Sequence, residues 1–462
     1  MTISSAHTIL HAKTALLPDG WAADVSVQIV DGRILAITAG AKPTGQSIGQ
    51  IVDCLLPAPA NLHSHTFQRA MAGMTETRGP GQDSFWTWRS LMYRFLDRLT
   101  PDDVQAIAAM VMLEMAEAGF CAVAEFHYLH HAPGGAVYSD LAELSGRIAA
   151  AAAQTGLGLT HLPVLYERGG CDGRALTAGQ LRFGNDADRF TGLWEAARAA
   201  LRALPADTVL GVAPHSLRAA SPEGIAMAAA LSPKTPLHIH VAEQDAEVAE
   251  VLAHTGARPV QWLLDNQNLS QHWCLIHATQ MHPYETLGLA ASGAIAGLCP
   301  ITEANLGDGI FDGLRFVGAG GRFGVGSDSN LRISLSEELR SLEYSQRLAH
   351  KGRALLASAA QSTGRTLYQG ACTGGAIAAG RASGAIAVGL WADLVALDCS
   401  GPDMAASAGD TLLDTFIFAA DDRMVAEVWS AGRHIVTAGR HVARDAVVAS
   451  YRRVVARLRA EL

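Results

Sequence analysis

The stretch from Leu55 to His65, LLPAPANLHSH, decides the fold prediction. Its apolar, proline-containing run leads into Asn61 and ends in His63-Ser64-His65. Residues i and i+2 of a strand point to the same side, so two such imidazoles can bind one metal ion together. His-x-His alone is a weak signal, and a pair of surface histidines is the plainer interpretation. Its position at the end of a predicted first strand favours a metal site.

Outward from this stretch, the chain alternates short apolar runs with longer helical patterns. The predicted helices include Pro101–Ala118, Leu141–Thr155 and Leu193–Leu204. The predicted strands are Cys121–Phe126, Gly158–Val164, Val209–Ala213, Leu237–Val241, Trp273–Ile276, Ala294–Leu298 and Phe323–Val325. An eighth strand is either Ile51–Leu56 or the segment leading into Asn61. Eight alternating units predict a (β/α)8 TIM-type barrel with its chemistry at the strand ends. An open doubly wound sheet is the alternative, weakened because no Gly-x-Gly-x-x-Gly follows a first strand.

Both ends of the chain are rich in strand patterns. Ala23–Val30 and Arg33–Thr38 are joined at Asp31-Gly32, a pair typical of a hairpin turn. Ala392–Leu397 and Arg433–Val436 repeat the pattern near the other end. We therefore expect an α/β protein in which residues 1–56 plus 381–462 form a small β-sandwich domain. Residues 57–380 would form the barrel.

Further histidine and carboxylate residues lie at the ends of later predicted strands. His238-Ile239-His240 ends one strand, and Glu243 follows, a residue type suited to carry protons beside a metal. We choose His240 as the ligand; His238 is on the same strand face but deeper, where a core histidine is an equal interpretation. His277 and Asp328 end two other strands, where single residues are more often structural. Together with the His-x-His pair, these groups predict one metal site.

Composition excludes several classes of protein. The 462 residues carry a net charge of −9, which disfavours nucleic acid and anionic membranes as partners. The seven scattered cysteines include no Cys-x-x-Cys pair, which indicates reduced thiols in the cytoplasm. No signal-peptide pattern opens the sequence. The long uncharged stretches Ile148–Tyr166 and Thr286–Thr302 are interrupted by glycine and proline, so no membrane span is expected.

The order of these motifs resembles the amidohydrolase superfamily. No Lys stands near the end of the fourth predicted strand, where dinuclear members carry a carboxylated lysine, so the chain resembles the mononuclear, deaminase-like branch. The resemblance implies one Zn²⁺ per chain, bound by His63, His65, His240 and Asp328. It implies catalytic roles for Glu243, His277 and Asp328. Fe²⁺ or Mn²⁺ would suit the same ligands.

Five longer motifs resemble the formimidoylglutamate deiminase family of histidine degradation. These motifs are Asn61–Ala70, Ser84–Arg89, Glu125–Tyr128, Ala213–Arg218 and Thr302–Asp308. The resemblance implies hydrolytic deimination of N-formimino-L-glutamate to N-formyl-L-glutamate and ammonia. It implies a substrate pocket lined by Gln68, Arg89, Tyr128, His215 and Arg218.

The pocket residues also have plainer interpretations. Arginine binds carboxylates through paired charge-assisted hydrogen bonds, which suits a dicarboxylate substrate. Taken alone, Arg89 would pack on Trp86 or Trp88 at the surface, and Arg218 would be a solvated loop charge. For Gln68 and Tyr128, ordinary barrel packing is an equal interpretation.

In the hypothesised reaction, a metal-activated water attacks the formimino carbon while Asp328 accepts a hydrogen bond or proton from it. His277 stabilises the tetrahedral species and Glu243 donates a proton to the departing nitrogen. Residue types alone leave open which nitrogen departs, and the resemblance favours ammonia. One alternative is a zinc deaminase of a ring amine such as guanine, which would not need two arginines. Another is a catalytically inactive barrel scaffold, although such chains usually lack part of the ligand set.

These observations predict a cytoplasmic enzyme whose partner is a small anionic dicarboxylate substrate. Neither nucleic acid nor a membrane is expected as a partner. A homodimer through the apolar helix Ser84–Leu96 is a further expectation.

Overall fold

The structure is a computed structural model that describes residues 7–40, 49–76 and 85–461. Its strands are β1 (His7–Leu17), β2 (Gly20–Val30), β3 (Arg33–Thr38), β4 (Gln50–Pro57), β5 (Ala60–Ser64), β6 (Ala122–His127), β7 (Gly158–Leu165), β8 (Val209–Leu210), β9 (Ala213–Pro214), β10 (Leu237–Val241), β11 (Trp273–His277), β12 (Ile295–Leu298), β13 (Arg322–Val325), β14 (Leu394–Leu397), β15 (Val425–Ser430), β16 (Arg433–Thr437) and β17 (Arg440–His441). Its α-helices are α1 (Phe85–Leu96), α2 (Pro101–Glu117), α3 (Glu143–Thr155), α4 (Ala187–Ala200), α5 (Pro222–Leu231), α6 (Asp245–Thr255), α7 (Pro259–Asn266), α8 (Pro283–Ser292), α9 (Pro300–Leu306), α10 (Gly313–Gly318), α11 (Leu335–His350), α12 (Thr363–Ala378), α13 (Asp410–Phe418) and α14 (Arg444–Ala460).

A mixed eight-stranded sheet takes its strands from both ends of the chain, in the order β17-β16-β15-β14-β4-β1-β2-β3. The predicted hairpin between β2 and β3 is confirmed, since Val30 pairs with Arg33 across the turn. Asp31 and Gly32 have φ values of 49° and 77°. Two successive positive φ values are the conformation that matches the twist of a two-residue hairpin, and glycine adopts it without steric cost.

The middle of the chain forms two parallel sheets whose strands are followed by helices. One has the order β5-β6-β7-β8, with β9 also paired to β7, and the other is β10-β11-β12-β13. Isolated parallel bridges join the two sheets between Ser64 and Asp328 and between Val212 and Leu237. The predicted α/β class is confirmed, and the first parallel strand is the segment through Asn61 rather than Ile51–Leu56, which lies in the mixed sheet.

Two sequence-based boundaries were wrong. Val209–Ala213 is not one strand, because the backbone changes partner within it: Gly211 N–H donates to His161 O and Val212 N–H to Pro236 O on the opposite side. The helix predicted at Leu193–Leu204 begins at Ala187, where the Asp186 side chain accepts a hydrogen bond from Arg189 N–H. Such an N-cap satisfies a backbone donor that the helix itself cannot.

Two expectations concern surfaces. Ser84, the first residue of the helix expected at a dimer contact, lies outside the described residues, and α1 begins at the next position. In the part of the chain that the structure covers, no helix is long and apolar enough to cross a membrane.

A buried ion network connects the mixed sheet to the parallel strands. Arg381 Nε and Nη2 each lie 3.0 Å from a carboxylate oxygen of Asp393, just before β14. Its Nη1 lies 3.0 Å from Asp207 Oδ2, just before β8, and Arg433 of β16 binds the same carboxylate at 2.7 and 2.8 Å. The Arg381 and Asp393 side chains are fully buried. Because each charge is paired, removal of one partner leaves another charge buried without compensation.

We therefore predict that Arg381→Met lowers the free energy of unfolding by about 3–5 kcal/mol. Urea denaturation at neutral pH measures the loss. Arg440→Met is the matched control, because the Arg440 side chain is 57% exposed and its partner Asp445 is 93% exposed. Its effect should stay within about 0.5 kcal/mol. Equal effects of the two substitutions would contradict the role given to the network.

Candidate active site

Four side chains from three strand ends converge on one point. These residues are His63, His65, His240 and Asp328, and together they form a cluster that could hold a metal ion. His240 Nε2 lies 3.1 Å from His63 Nε2 and 3.3 Å from His65 Nε2. Asp328 Oδ1 lies 3.3 and 3.2 Å from the same two nitrogens. Each of the four residues is at most 5% exposed.

The hydrogen bonds of the histidines show that this donor set fits a cation. His65 Nδ1 lies 3.0 Å from Phe126 O, and His240 Nδ1 lies 3.1 Å from His215 O. A carbonyl oxygen only accepts, so each Nδ1 carries the proton and each Nε2 presents a lone pair. Lone pairs that face one another at these distances repel unless a cation lies among them. Three imidazole nitrogens and one carboxylate oxygen are ligands that Zn²⁺ and similar divalent ions accept.

Burial keeps these groups in the protonation states that a metal requires. It lowers the pKa of His63 to about 3 and lowers the pKa values of His65 and His240 as well. Burial opposes ionisation of Asp328, but His63 and His65 outweigh it and hold the pKa of that carboxyl well below its ordinary value. Neutral imidazoles and an ionised carboxylate are the forms that bind metal.

Backbone hydrogen bonds fix the first two histidines against Asp328. His65 N–H donates to Asp328 O at 2.9 Å, and Asp328 N–H donates to His63 O at 3.0 Å. This close approach requires a glycine two residues earlier, because a Cβ at Gly326 would lie 2.7 Å from His63 N and O. Asn330 Nδ2 adds a hydrogen bond of 3.0 Å to Asp328 O. The ligands are therefore positioned by backbone as well as by side-chain packing.

The carboxyl end of β6 supports the same loop. Glu125 Oε1 accepts hydrogen bonds from Thr66 N–H at 2.8 Å and from Thr66 Oγ1 at 2.7 Å. Tyr128 lies two residues after Phe126, whose carbonyl oxygen holds His65. The Tyr128 Oη accepts a hydrogen bond from Gln68 Nε2 at 2.9 Å. Sequence reasoning assigned Glu125 only to a motif; its contact with Thr66 makes it part of the framework of the cluster.

Glu243 and His277 lie beside the cluster. His277 Nε2 is 3.9 Å from Glu243 Oε1, and His277 Nδ1 is 3.2 Å from Glu303 Oε1. Burial raises the pKa of Glu243 to about 7, with the charge on His277 opposing the shift. Burial would lower the pKa of His277, but Glu243, Glu303 and Asp328 outweigh it and raise that pKa to about 10. The two groups thus form a proton donor and a cation close to the predicted ligands.

Two further carboxyl groups, Glu247 and Asp308, received no role in the sequence analysis. Glu247 accepts hydrogen bonds from Ala242 N–H at 3.1 Å and Glu243 N–H at 3.0 Å, which fixes the turn that carries Glu243. Asp308 accepts a hydrogen bond from Gln244 Nε2, and burial together with the nearby Glu243 raises the pKa of Asp308 to about 9. Because Asp308 keeps its proton near neutral pH, it adds no negative charge beside Glu243.

A cavity opens onto the cluster. Its lining includes all five residues that the sequence predicts for the substrate pocket, namely Gln68, Arg89, Tyr128, His215 and Arg218. Arg218 is 8% exposed, and its Nε is buried with no hydrogen-bond partner among the described residues. Burial opposes the charge of Arg218, but Glu247, Tyr166 and Glu243 raise its pKa. Neither arginine is therefore a solvated surface charge: Arg89 reaches Tyr166 Oη at 3.0 Å inside the same cavity.

His238 lies apart from the cluster. It is fully buried, and its Nε2 is 2.8 Å from Ala378 O. The two interpretations of the His238-Ile239-His240 motif are thereby separated, because only His240 joins the metal-binding group.

Family models match most of the chain. The model described as "Amidohydrolase family" matches residues 54–435. The model described as "Formimidoylglutamate deiminase HutF, N-terminal domain" matches residues 7–47.

Sequence and structure similarities to individual proteins agree with the two family models. A formimidoylglutamate deiminase from Pseudomonas aeruginosa is 48% identical over 94% of this chain and 96% of its own length. A 5-methylthioadenosine/S-adenosylhomocysteine deaminase from Natronomonas pharaonis is 25% identical over 83% of this chain and 82% of its own. The crystal structure of an amidohydrolase from Brucella melitensis has a TM-score of 0.94 at 47% identity and covers 98% of this chain and 99% of that one. An adenosine deaminase from Xanthomonas campestris with bound zinc shares the fold, with a TM-score of 0.81 at 20% identity over 98% of each chain. The chain therefore belongs to the amidohydrolase family and, within it, to the formimidoylglutamate deiminases.

Proposed function

We propose that the protein hydrolyses N-formimino-L-glutamate to N-formyl-L-glutamate and ammonia in histidine degradation. The observation that carries this proposal is a single cavity with the four-ligand cluster at one end and buried Arg218 in its wall. An amidine that carries two carboxylates needs both features. The 48% identity to the Pseudomonas aeruginosa enzyme supports the same substrate.

We propose one divalent metal, zinc by preference, bound by His63, His65, His240 and Asp328. The zinc in the Xanthomonas campestris relative of the same fold supports this ion. When bound, such an ion supplies a water of lowered pKa and polarises the group that is attacked. Fe²⁺ or Mn²⁺ would be bound by the same donors.

The neighbouring side chains would move the protons. Asp328 accepts a hydrogen bond from the attacking water as its oxygen bonds to the formimino carbon. His277 presents Nε2 as a cationic donor to the tetrahedral species. Glu243, with a pKa near 7, passes a proton to the amidine nitrogen, whose bond to carbon then breaks. One water and one amidine thus give one formamide group and one ammonia.

Glu303 would act as a positioning residue for His277. Its Oε1 accepts from Cys299 N–H at 2.8 Å, which fixes the carboxylate at the start of α9. The same oxygen lies 3.2 Å from His277 Nδ1, so the imidazole is oriented with Nε2 toward Glu243. A carboxylate at Nδ1 also favours the charged imidazole.

The other predicted pocket residues offer complementary hydrogen-bonding groups. Gln68 Oε1 is a buried acceptor without a partner among the described residues, which suits an amidine N–H. Arg89 and Arg218 would bind the carboxylates, with Tyr128 and His215 as further substrate contacts. The formimino group would thereby be oriented toward the metal ligands.

We infer that the two parallel sheets are arcs of one closed (β/α)8 barrel. The bridges from Ser64 to Asp328 and from Val212 to Leu237 join the sheets at both edges and support this arrangement. The mixed sheet would be the separate β domain, formed by residues 1–56 plus 381–462, with residues 57–380 as the barrel. In such a barrel all strand ends open on one face, which accounts for the convergence of the ligands.

The two competing functions are less well supported. One distant relative is a 5-methylthioadenosine/S-adenosylhomocysteine deaminase, but a neutral base would leave the buried Nε of Arg218 without an acceptor. An inactive scaffold would not need four metal ligands within 4.8 Å of one another.

The proposal predicts that zinc-loaded protein releases ammonia from N-formimino-L-glutamate and that mass spectrometry finds N-formyl-L-glutamate. Removal of the metal by a chelator should abolish turnover, and metal analysis should give about one ion per chain. Formamide and glutamate as products would show that the other nitrogen departs. Ammonia from 5′-methylthioadenosine or guanine, without turnover of the amidine, would overturn the substrate assignment.

Arg218→Met should lower kcat/KM for N-formimino-L-glutamate by about 10²-fold or more, because a buried charge-assisted pair with a carboxylate is lost. Steady-state kinetics measures this loss. Arg174→Met is the matched control, since Arg174 is 51% exposed and paired with Asp172 and Glu250; we expect less than a threefold change. An unaltered kcat/KM in Arg218→Met would exclude this arginine from substrate binding.

Glu303→Ala should lower kcat by about 10²-fold while the metal content and KM change little, because His277 loses the partner that orients it. Glu303→Gln should recover part of the activity, since an amide oxygen can still accept from Nδ1–H. The test is to measure kcat, KM and the metal content of both variants. Loss of metal in step with activity would instead assign Glu303 a structural role.

A further inference from the structure

Tyr166 occupies a position that the site assignments above leave unused. It directly follows β7, at the same edge of the sheet as the cluster, and is 2% exposed. Its ring contacts His215 edge-on, with centroids 4.6 Å apart, and Phe183 at 5.6 Å. It lines the cavity together with Arg89 and Arg218.

Two donors point at the phenolic oxygen of Tyr166. Arg89 Nη2 lies at 3.0 Å and Gln180 Nε2 at 2.9 Å. A guanidinium has no acceptor, so the first bond must run from Arg89 to the oxygen.

The orientation of the Gln180 amide is equally determined. Its Oε1 accepts from Thr177 N–H at 2.8 Å and from Thr177 Oγ1 at 3.0 Å. A backbone N–H can only donate, so the atom facing Thr177 must be the oxygen. The NH₂ group therefore faces Tyr166 and donates to it.

A phenol has two acceptor lone pairs and one proton to donate. Both lone pairs of Tyr166 are used by Arg89 and Gln180, and no oxygen or nitrogen of the described chain accepts its proton. Within the described residues the O–H therefore has no acceptor, and the cavity that the side chain lines is where a bound acceptor can meet it. A buried donor held without an acceptor is unfavourable, and a bound acceptor relieves that cost.

We propose that Tyr166 binds a carboxylate of the substrate, donating its O–H to the same group that Arg89 contacts. This inference rests on the proposed dicarboxylate substrate. The hydrogen bond from the Arg89 guanidinium polarises the phenol and makes it a stronger donor to an anion. Gln180 and Thr177 act as positioning residues that keep the proton directed into the cavity.

The first test is Tyr166→Phe, which removes one oxygen and keeps the ring. With N-formimino-L-glutamate we expect KM to rise about 10- to 100-fold, because one charge-assisted hydrogen bond to the substrate is lost. The kcat should change less than threefold. Tyr368→Phe is the matched control, because its Oη donates to Pro57 O at 3.0 Å away from the cavity. Its KM should be unchanged. A Tyr166→Phe variant with an unaltered KM would overturn the proposal.

Ligand analogues separate a carboxylate contact from a general structural effect. Calorimetry would give the dissociation constants of N-formyl-L-glutamate, N-formyl-4-aminobutanoate and N-formyl-L-2-aminobutanoate, of which the last two each lack one carboxylate. Tyr166→Phe should weaken binding of N-formyl-L-glutamate and of one analogue, and leave the other unchanged. An equal loss with all three ligands would show a structural role and overturn the proposal.

Gln180→Met provides a second variant that retains the phenol. It frees one lone pair of Tyr166, so the O–H is less strictly directed, and binding should weaken by less than in Tyr166→Phe and for the same ligands only. Unchanged binding in both variants would contradict the inference. The proposed function is judged separately, because it fails only if the unmodified protein does not turn over N-formimino-L-glutamate.

Discussion

The repulsion between the Nε2 lone pairs of His65 and His240, beside one carboxylate, is the interaction on which the rest of the site depends. His65 and His240 give their Nδ1 protons to backbone carbonyls, which leaves their Nε2 atoms 3.3 Å apart without a proton between them. Such a cluster is unstable unless a cation is bound or the surrounding structure prevents the side chains from separating. The Phe126 and His215 carbonyls and the backbone bonds to Asp328 impose this geometry before any ligand arrives.

Part of that restraint is stored as backbone strain at the strand ends. Ala242, His277 and Asp328 have φ values of 51°, 68° and 45°, a region that costs a non-glycine residue about 1–3 kcal/mol. Two of these turns, at Ala242 and Asp328, have a compensating contact. Glu247 accepts from Ala242 N–H, and Asp328 exchanges two backbone hydrogen bonds with the loop of His63 and His65. The positive φ values turn side chains at the strand ends into one cavity. An extended backbone would point successive side chains to opposite sides.

The sequence revealed the residues whose position follows from strand alternation, and missed those whose contacts depend on tertiary structure. His63, His240 and Asp328 each end an apolar run, so their meeting followed from parallel strands alone. Glu303 and Asp308 lay within a motif, but their contacts with His277 and Gln244 depend on how two loops fold over each other. For Tyr166 the only available signal was an aromatic residue directly after a strand. The prediction of one strand at Val209–Ala213 was wrong because the hydrophobic pattern does not show where a strand changes its hydrogen-bonding partner.

Charge separation within the cavity gives a physical reason for selectivity beyond the metal cluster. Asp328 places a negative charge in the metal cluster, while Arg89 and Arg218 place positive charge elsewhere in the lining. A formimino amino acid carries two anionic carboxylates, so it compensates the positive part of the lining while its amidine lies at the metal cluster. A neutral base of similar size would fill the volume but offer no acceptor to the buried Nε of Arg218, and an unsatisfied buried donor is costly. The protein has a net charge of −9, so long-range attraction does not favour an anion. Recognition must therefore come from the arginines that line the cavity. The discrimination against ring amines follows because those amines carry no carboxylate for the arginines to bind.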